Sequence, residues 1–376
     1  MANTKIREPL FHLTKRDALP LWKAIFIRGG AIVLGILFAS ILCGLLFSAN
    51  PFKVIASLFK GAFGTERRFW LLFRDTALLL GVGLALVPAF KMKFWNLGGN
   101  GQILMGALVT IAIMRSNLGV NNVAIANILM VICAILVGAI WAVIPAIFKA
   151  FFKTNESLFT LMMNYIAAGL VSYFINNWST NGSGVLGQIQ TGHLPEILNP
   201  HLLTIIVVAV LTAIMYIYLK YSKQGYEVSV VGESENTAKY IGLNVKQVTI
   251  RTLAISGAIC GIIGLLLAGS IDHSISDDMV NNLGFNLGFT AIMVAWLGKF
   301  NPLIMILTSL LISFLTRGMG QVQTDFDVFN KAIANIVLGI IYFFIIGCEF
   351  FITYKIKFKK EKTENNKQDK NIKEEN

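Results

Sequence analysis

Ten apolar runs, each bounded by polar or basic residues, fill most of the 376-residue chain and decide what it can fold into. They fall at 24–47, 70–90, 94–114, 123–148, 156–176, 201–220, 250–271, 285–298, 301–317 and 330–352. About 20 apolar residues cross the hydrocarbon core as a helix, and in lipid only helices and closed barrels satisfy every backbone polar group. The expected fold class is all-α: a polytopic membrane protein of about ten transmembrane helices. Composition agrees, with 55% hydrophobic residues and a mean hydropathy of +0.68. Charged residues make up 14%, where a soluble domain carries about a quarter.

The formal charge of +12 does not mark a nucleic-acid binder, because the lysines and arginines flank the apolar runs instead of sharing a face. Lys91, Lys93, Lys149, Lys153, the segment 220–251, Lys299 and the tail from Lys355 assign one side of the membrane. Loops 117–122, 177–200 and 272–284 contain neither Lys nor Arg and assign the other. Both termini are expected in the cytoplasm. The stretch Asn50 to Phe69, with Lys53, Lys60, Arg67 and Arg68, breaks this tendency and reads as an interfacial helix on the outer surface.

Asn96-Leu97-Gly98-Gly99-Asn100 opens one apolar run, and Asn282-Leu283-Gly284-Phe285-Asn286 opens another. The two units they mark, about 70–176 and 250–352, run in opposite senses, which predicts an inverted repeat with a pathway between the halves. The run at 285–298 is too short to cross alone and reads as a half-helix. The expected organisation is a cytoplasmic segment 1–23, a transmembrane domain 24–352 with a cytoplasmic loop at 221–250, and a disordered tail 353–376. The outward loop 177–200, with Asn181-Gly182-Ser183-Gly184, is long enough to cover a pore mouth.

Enzymatic motifs are missing: no phosphate loop, no GxSxG, no HExxH. Cys43, Cys133, Cys260 and Cys348 each lie in an apolar run without CxxC spacing and read as buried free thiols. No metal and no cofactor is expected. Intramembrane charge is sparse, with Arg74 and Asp75 near the outer end of one run and Glu156 at the inner end of another, which argues against a proton relay. Energy is expected to enter through the loop 221–250, where Glu233 to Ile241 reads as a short amphipathic helix closed by Gly242. Gly257-Ala258-Ile259-Cys260-Gly261 is a GxxxG pattern for close helix packing, within the chain or across a dimer.

Phe94-Trp95-Asn96-Leu97-Gly98-Gly99-Asn100-Gly101-Gln102 with Gly106-Ala107 resembles the signature of permeases in the branched-chain amino acid and simple-sugar group of ABC importers. Asn155-Glu156 followed by Thr160 to Ala167 is similar to the segment that marks the nucleoside branch of that group. Gly232, Ala238 and Gly242 resemble its coupling loop, and Phe289 to Gly298 with Asn301-Pro302-Leu303 its late element. Departures are Asn100 where an acidic residue is frequent, Trp296 for leucine, and Ile304 for glycine. The resemblance implies a permease without its own ATPase site, importing a nucleoside through the plasma membrane. It also implies a shorter second permease as heterodimer partner, a cytoplasmic ATP-binding subunit and an extracellular substrate-binding lipoprotein. A simple sugar or riboflavin-like solute is the alternative cargo, and an ion-coupled carrier the alternative class.

The pathway candidates are Asn96, Gly98, Asn100, Gln102, Asn164, Asn286 and Trp296. Their amides could hydrogen-bond a base or ribose, or only hold helices together, as Asn and Gln do in lipid. Trp296 could stack on a base or simply pack. The residues expected to meet the ATPase are Glu233, Glu235, Ala238 and Gly242.

Overall fold

The computed structural model describes residues 11–15, 20–47, 50–179, 186–276, 279, 286–326 and 330–358. In chain order the elements are β1 (Phe11–Lys15), α1 (Leu21–Phe47), α2 (Pro51–Phe63), α3 (Glu66–Lys91), α4 (Gly99–Met114), α5 (Asn117–Asn121), α6 (Val123–Phe152) and α7 (Glu156–Trp178). They continue with α8 (Leu202–Tyr221), α9 (Lys223–Glu233), α10 (Glu235–Tyr240), α11 (Val245–Leu266), a π-helical turn (Leu267–Asp272), α12 (Leu287–Leu297), α13 (Pro302–Asp325), α14 (Lys331–Thr353) and β2 (Tyr354–Phe358). Among the described residues, eight helices are long and apolar enough to cross a membrane, and α4 and α12 are shorter apolar helices. The protein is an all-α polytopic membrane protein. The ten apolar runs each hold one of these helices, but α4 starts at Gly99, five residues later than its run, because 92–98 is a bent, non-helical segment. Asn282 to Phe285, Asn181 to Gly184 and the tail beyond Phe358 lie outside the described residues.

The chain divides into two compact units, residues 1–55 with 328–376, and residues 56–327. In the first, Gly35 lets α1 approach α14, since a Cβ there would lie 3.2 Å from Phe344 Cβ. Arg28 and Glu349 close the contact with an ion pair at 2.5 Å. β1 and β2 pair antiparallel, Phe11 opposite Phe358 and Lys15 opposite Tyr354. This corrects the expectation of disorder from residue 353: Tyr354, Ile356 and Phe358 alternate with Lys355 and Lys357, the period of a strand.

The second unit is built on small residues. A Cβ at Gly257 would run into the Gly138 carbonyl, one at Gly261 into the Ala134 carbonyl, and one at Gly264 into the Ile103 carbonyl. The GxxxG pattern therefore packs α11 against α6 and α4 inside this chain. Close backbone approach is how helices associate where lipid tails remove the hydrophobic driving force. α2 meets α13 the same way, Gly61 against Gly318, with Ser57 Oγ and Gln321 Nε2 donating to Asp325 at 2.7 and 2.6 Å.

Two expectations need correction. Cys43, Cys260 and Cys348 are buried free thiols, but Cys133 is only half-buried, because α6 turns part of its surface outward. Charge is also less peripheral than expected. α3 starts at Glu66, so Asp75 lies nine residues, about 13 Å, inside it. Asp75 is fully buried between two guanidiniums, that of Arg74 at 2.9 Å and that of Arg317 on α13. Sequence spacing missed this because Arg317 lies 242 residues away. Removing one partner of a buried pair leaves an uncompensated charge, at about 3–5 kcal/mol. Asp75→Ala should collapse thermal stability in detergent, and Arg317→Lys should lose less than Arg317→Ala. An unchanged melt for Asp75→Ala would refute the clasp.

The segment 186–200 folds back on the π-helical turn. The Leu194 amide donates to the Gly269 carbonyl at 3.1 Å and the Ile189 amide to the His273 carbonyl at 2.8 Å. His193 stacks on His273 with ring centroids 3.9 Å apart. Burial, then the neighbouring His193, pushes the His273 pKa below its ordinary value, while Glu196 pulls the other way. The unfolded or released segment therefore binds the proton more readily, and the clamp weakens as pH falls below about 6.5. Hydrogen exchange at the Ile189 and Leu194 amides should quicken between pH 7.5 and 5.5 beyond the intrinsic trend, and His273→Phe should abolish the extra acceleration.

Candidate functional site

Where α3 ends, its chain cannot continue as a helix. Lys93 takes a left-handed backbone (φ 60°), and the Phe94 amide reaches back to the Ala89 carbonyl at 2.9 Å. The next residues pass through the protein interior without helical hydrogen bonds. An unpaired backbone group there costs several kcal/mol, so partners must be supplied. The side chains predicted from sequence supply them. Asn96 Oδ1 accepts from the Gly98 amide at 3.0 Å and from Gln102 Nε2 at 3.3 Å, while its Nδ2 donates to Ser256 Oγ at 3.2 Å. Asn164 on α7 accepts from the Gly101 amide at 2.8 Å and donates to the Leu97 carbonyl at 2.9 Å. One turn earlier, Thr160 Oγ1 accepts from the Leu97 amide at 3.1 Å. Gly98 must be small here, since a Cβ would lie 3.2 Å from Thr160 Cβ.

Asn100 is placed differently. Its Nδ2 donates to Asn286 Oδ1 at 2.6 Å and its Oδ1 accepts from the Gly288 amide at 2.8 Å. The two asparagines that close the repeated sequences thus touch each other, at the starts of α4 and α12. Asn96 and Gln102 are fully buried, whereas Asn286 is half-exposed. From Asn286, the exposed face of α12 runs through Phe289 and Met293 to Trp296, positions spaced by three, four and three residues and hence on one side of the helix. Trp296 is 51% exposed and lies 5.6 Å, ring to ring, from Trp95. Phe90 and Phe300 pack behind this pair.

The residues expected to meet an ATPase form a separate group. Ser234 caps α10 by accepting from the Thr237 amide at 3.2 Å, so Glu233 ends α9 and does not begin the short helix as the sequence suggested. Gly242 (φ 83°) closes α10 with its amide on the Lys239 carbonyl and the Leu243 amide on the Ala238 carbonyl, both at 3.0 Å. That is the left-handed closure glycine favours. Glu233 and Glu235 are exposed, and Ala238 is buried in one apolar cluster with Met92, Phe94, Val231 and Val248. A Cβ at Gly232 would strike the Lys91 carbonyl. α9 and α10 therefore pack directly against the residues that lead into the 92–98 segment.

Sequence reading missed Thr160 as a contact, along with Ser256, Gly288 and Trp95. Thr160 was legible as the residue four before Asn164, on the same helix face; Ser256 gave no local signal.

The described chain is thus a bundle of apolar, membrane-length helices in which amides hold the non-helical entry to α4 and a helical loop packs at its base. The chain belongs to the family described as branched-chain amino acid transport system / permease component, which matches residues 68–346. It is a multi-pass protein of the plasma membrane. It is 28% identical to the guanosine ABC transporter permease protein NupP of Bacillus subtilis, over 87% of this chain and 93% of that one. It is 27% identical to the glucose ABC transporter permease protein TsgB13 of Haloferax volcanii, over 92% and 93%. It is 25% identical to the nucleoside ABC transporter permease protein NupB of Lactococcus lactis, over 84% and 88%. No solved structure matches the chain.

The amide that holds the bent segment and the exposed α12 ring separate experimentally. Asn164→Ala strands a carbonyl and an amide, at about 1–3 kcal/mol. Trp296→Ala, on an exposed face, should stay within about 0.5 kcal/mol of wild type. Thermal unfolding in detergent that ranks them the other way would contradict this assignment.

Proposed function

We propose that the chain forms, with a second and shorter permease, the pathway for nucleoside uptake, driven by separate ATPase subunits and supplied by an extracellular binding protein. The carrying observation is the Asn100–Asn286 amide pair at the head of the exposed α12 face. Amides of this kind hydrogen-bond ribose hydroxyls and base edges. Phe289 and the Trp95–Trp296 pair offer flat rings on which a base stacks, at about 1–3 kcal/mol per base in other proteins. The guanosine and nucleoside permeases among the relatives favour this cargo. The glucose permease favours a sugar, which the amides would also suit. The chain itself is the transport component: Asn96, Asn164 and Thr160 hold the bent segment, and α9–α10 carry the ATPase stroke to it through Gly232 and Lys91.

Proteoliposomes holding the assembled transporter should take up radiolabelled nucleosides only with Mg-ATP, competed by unlabelled nucleosides and not by glucose. Trp296→Ala should lower uptake about tenfold, equivalent to about 1.4 kcal/mol. Glucose competition would replace the cargo and keep the class; uptake without ATP would refute the class. Gly232→Val should leave ATP hydrolysis running while uptake falls. Loss of both together would place the contact in assembly instead of coupling.

A further inference from the structure

At the end of the bundle where the lysines gather, a cavity of about 500 Å³ opens between the end of α6, the α3–α4 break and the α9–α10 pair. Five lysines line it, Lys93, Lys149, Lys153, Lys239 and Lys246, against three glutamates, an excess of two positive charges. Lys149 is occupied by Glu156 at 2.7 Å. Among the described residues, no carboxylate lies within ion-pair distance of Lys93, Lys153 or Lys239. Lys93 and Lys153 both stand in left-handed backbone (φ 60° and 54°) at helix ends where glycine is usual.

Beside the lysines, the last turn of α6 exposes apolar rings. Phe148, Phe151 and Phe152 are 40%, 57% and 69% exposed, and the Lys246 ammonium lies 4.4 Å from the Phe151 ring centroid. Cations and a greasy track side by side suit a molecule with an anionic head and an apolar tail. A free phosphate would use the lysines and ignore the rings. Basic pockets between helices at a cytoplasmic membrane surface hold lipid headgroups by these forces.

We propose that this cavity is a binding site for the phosphate headgroup of an anionic phospholipid, with the acyl chains lying along the exposed phenylalanines of α6. The site adjoins α10, so an occupying headgroup would brace the loop that meets the ATPase. The inference does not depend on which solute is carried.

The test uses the full chain purified in detergent, with lipid retention measured by native mass spectrometry. Phosphatidylglycerol should be retained at least tenfold over phosphatidylcholine of the same acyl chains. That preference should fall to near parity in the Lys93→Gln/Lys153→Gln/Lys246→Gln triple variant and persist in Lys53→Gln/Lys60→Gln, which alters lysines outside the cavity. Equal retention of the two lipids, or an unchanged preference in the triple variant, overturns the proposal. Displacement of the lipid by low-millimolar inorganic phosphate would assign the cavity to free phosphate and overturn the lipid reading. If the triple variant misfolds by circular dichroism, photo-crosslinking of an azido-phosphatidylglycerol to wild type decides. Labels on the α6 end and α9–α10 support the site, and labels elsewhere remove it.

Discussion

A backbone amide or carbonyl without a partner in the protein interior is expensive, and the non-helical segment 92–98 that joins α3 to α4 carries several. Much of the second unit answers that one constraint. Asn96 holds Gly98, Thr160 holds the Leu97 amide, and Asn164 spans from the Leu97 carbonyl to the Gly101 amide. These partners come from the segment itself and from α7, and Ser256 of α11 accepts from Asn96 in turn, so α7 and α11 must both lie against the segment. The glycines of α11 bring it against α4 and α6 with almost no side chain between. Packing and polar satisfaction are thus one problem solved by two residue types, small ones for approach and amides for pairing.

That division also separates scaffold from surface. Of the amides that complete the backbone, Asn96 is buried and Asn164 half-buried, and both donate and accept within the segment or its neighbours. Asn100 and Asn286 pair with each other at the starts of two helices, and Asn286 keeps part of its surface open. Below it the α12 face is flat, aromatic and exposed. Gly232 packs α9 against the Lys91 carbonyl at the end of α3, and Ala238 lies in an apolar cluster with Ala89, Met92 and Phe94.

Much of this was legible in the chain. Run lengths gave the ten apolar helices, because hydrophobic thickness sets helix length. The paired Asn-Leu-Gly sequences marked Asn100 and Asn286 as counterparts, and the structure brings the two side chains into contact. Gly242 announced the end of α10 because a left-handed closure favours glycine. What stayed hidden was long-range pairing. Arg317 is an isolated basic residue in sequence, and nothing near it reveals the Asp75 it clamps. Ser256 is an unremarked hydroxyl until Asn96 is placed beside it. Trp95 looked like part of a signature, and only its ring contact with Trp296 marks it as half of an aromatic pair. Periodicity reports which face of a helix is apolar; it does not report which helix the face will meet.

The most direct test of the account is the water accessibility of the α12 face in native membranes. Single cysteines at positions 286, 289, 293 and 296, in a background with Cys43, Cys133, Cys260 and Cys348 replaced by alanine, would be reacted with a membrane-impermeant maleimide from either side. Labelling is expected at all four positions, slowed by added nucleoside, with Ala291→Cys and Val294→Cys on the buried face unreactive. Labelling of the four only by lipid-soluble reagents, unaffected by solute, would show that this face meets lipid and that the pathway lies elsewhere.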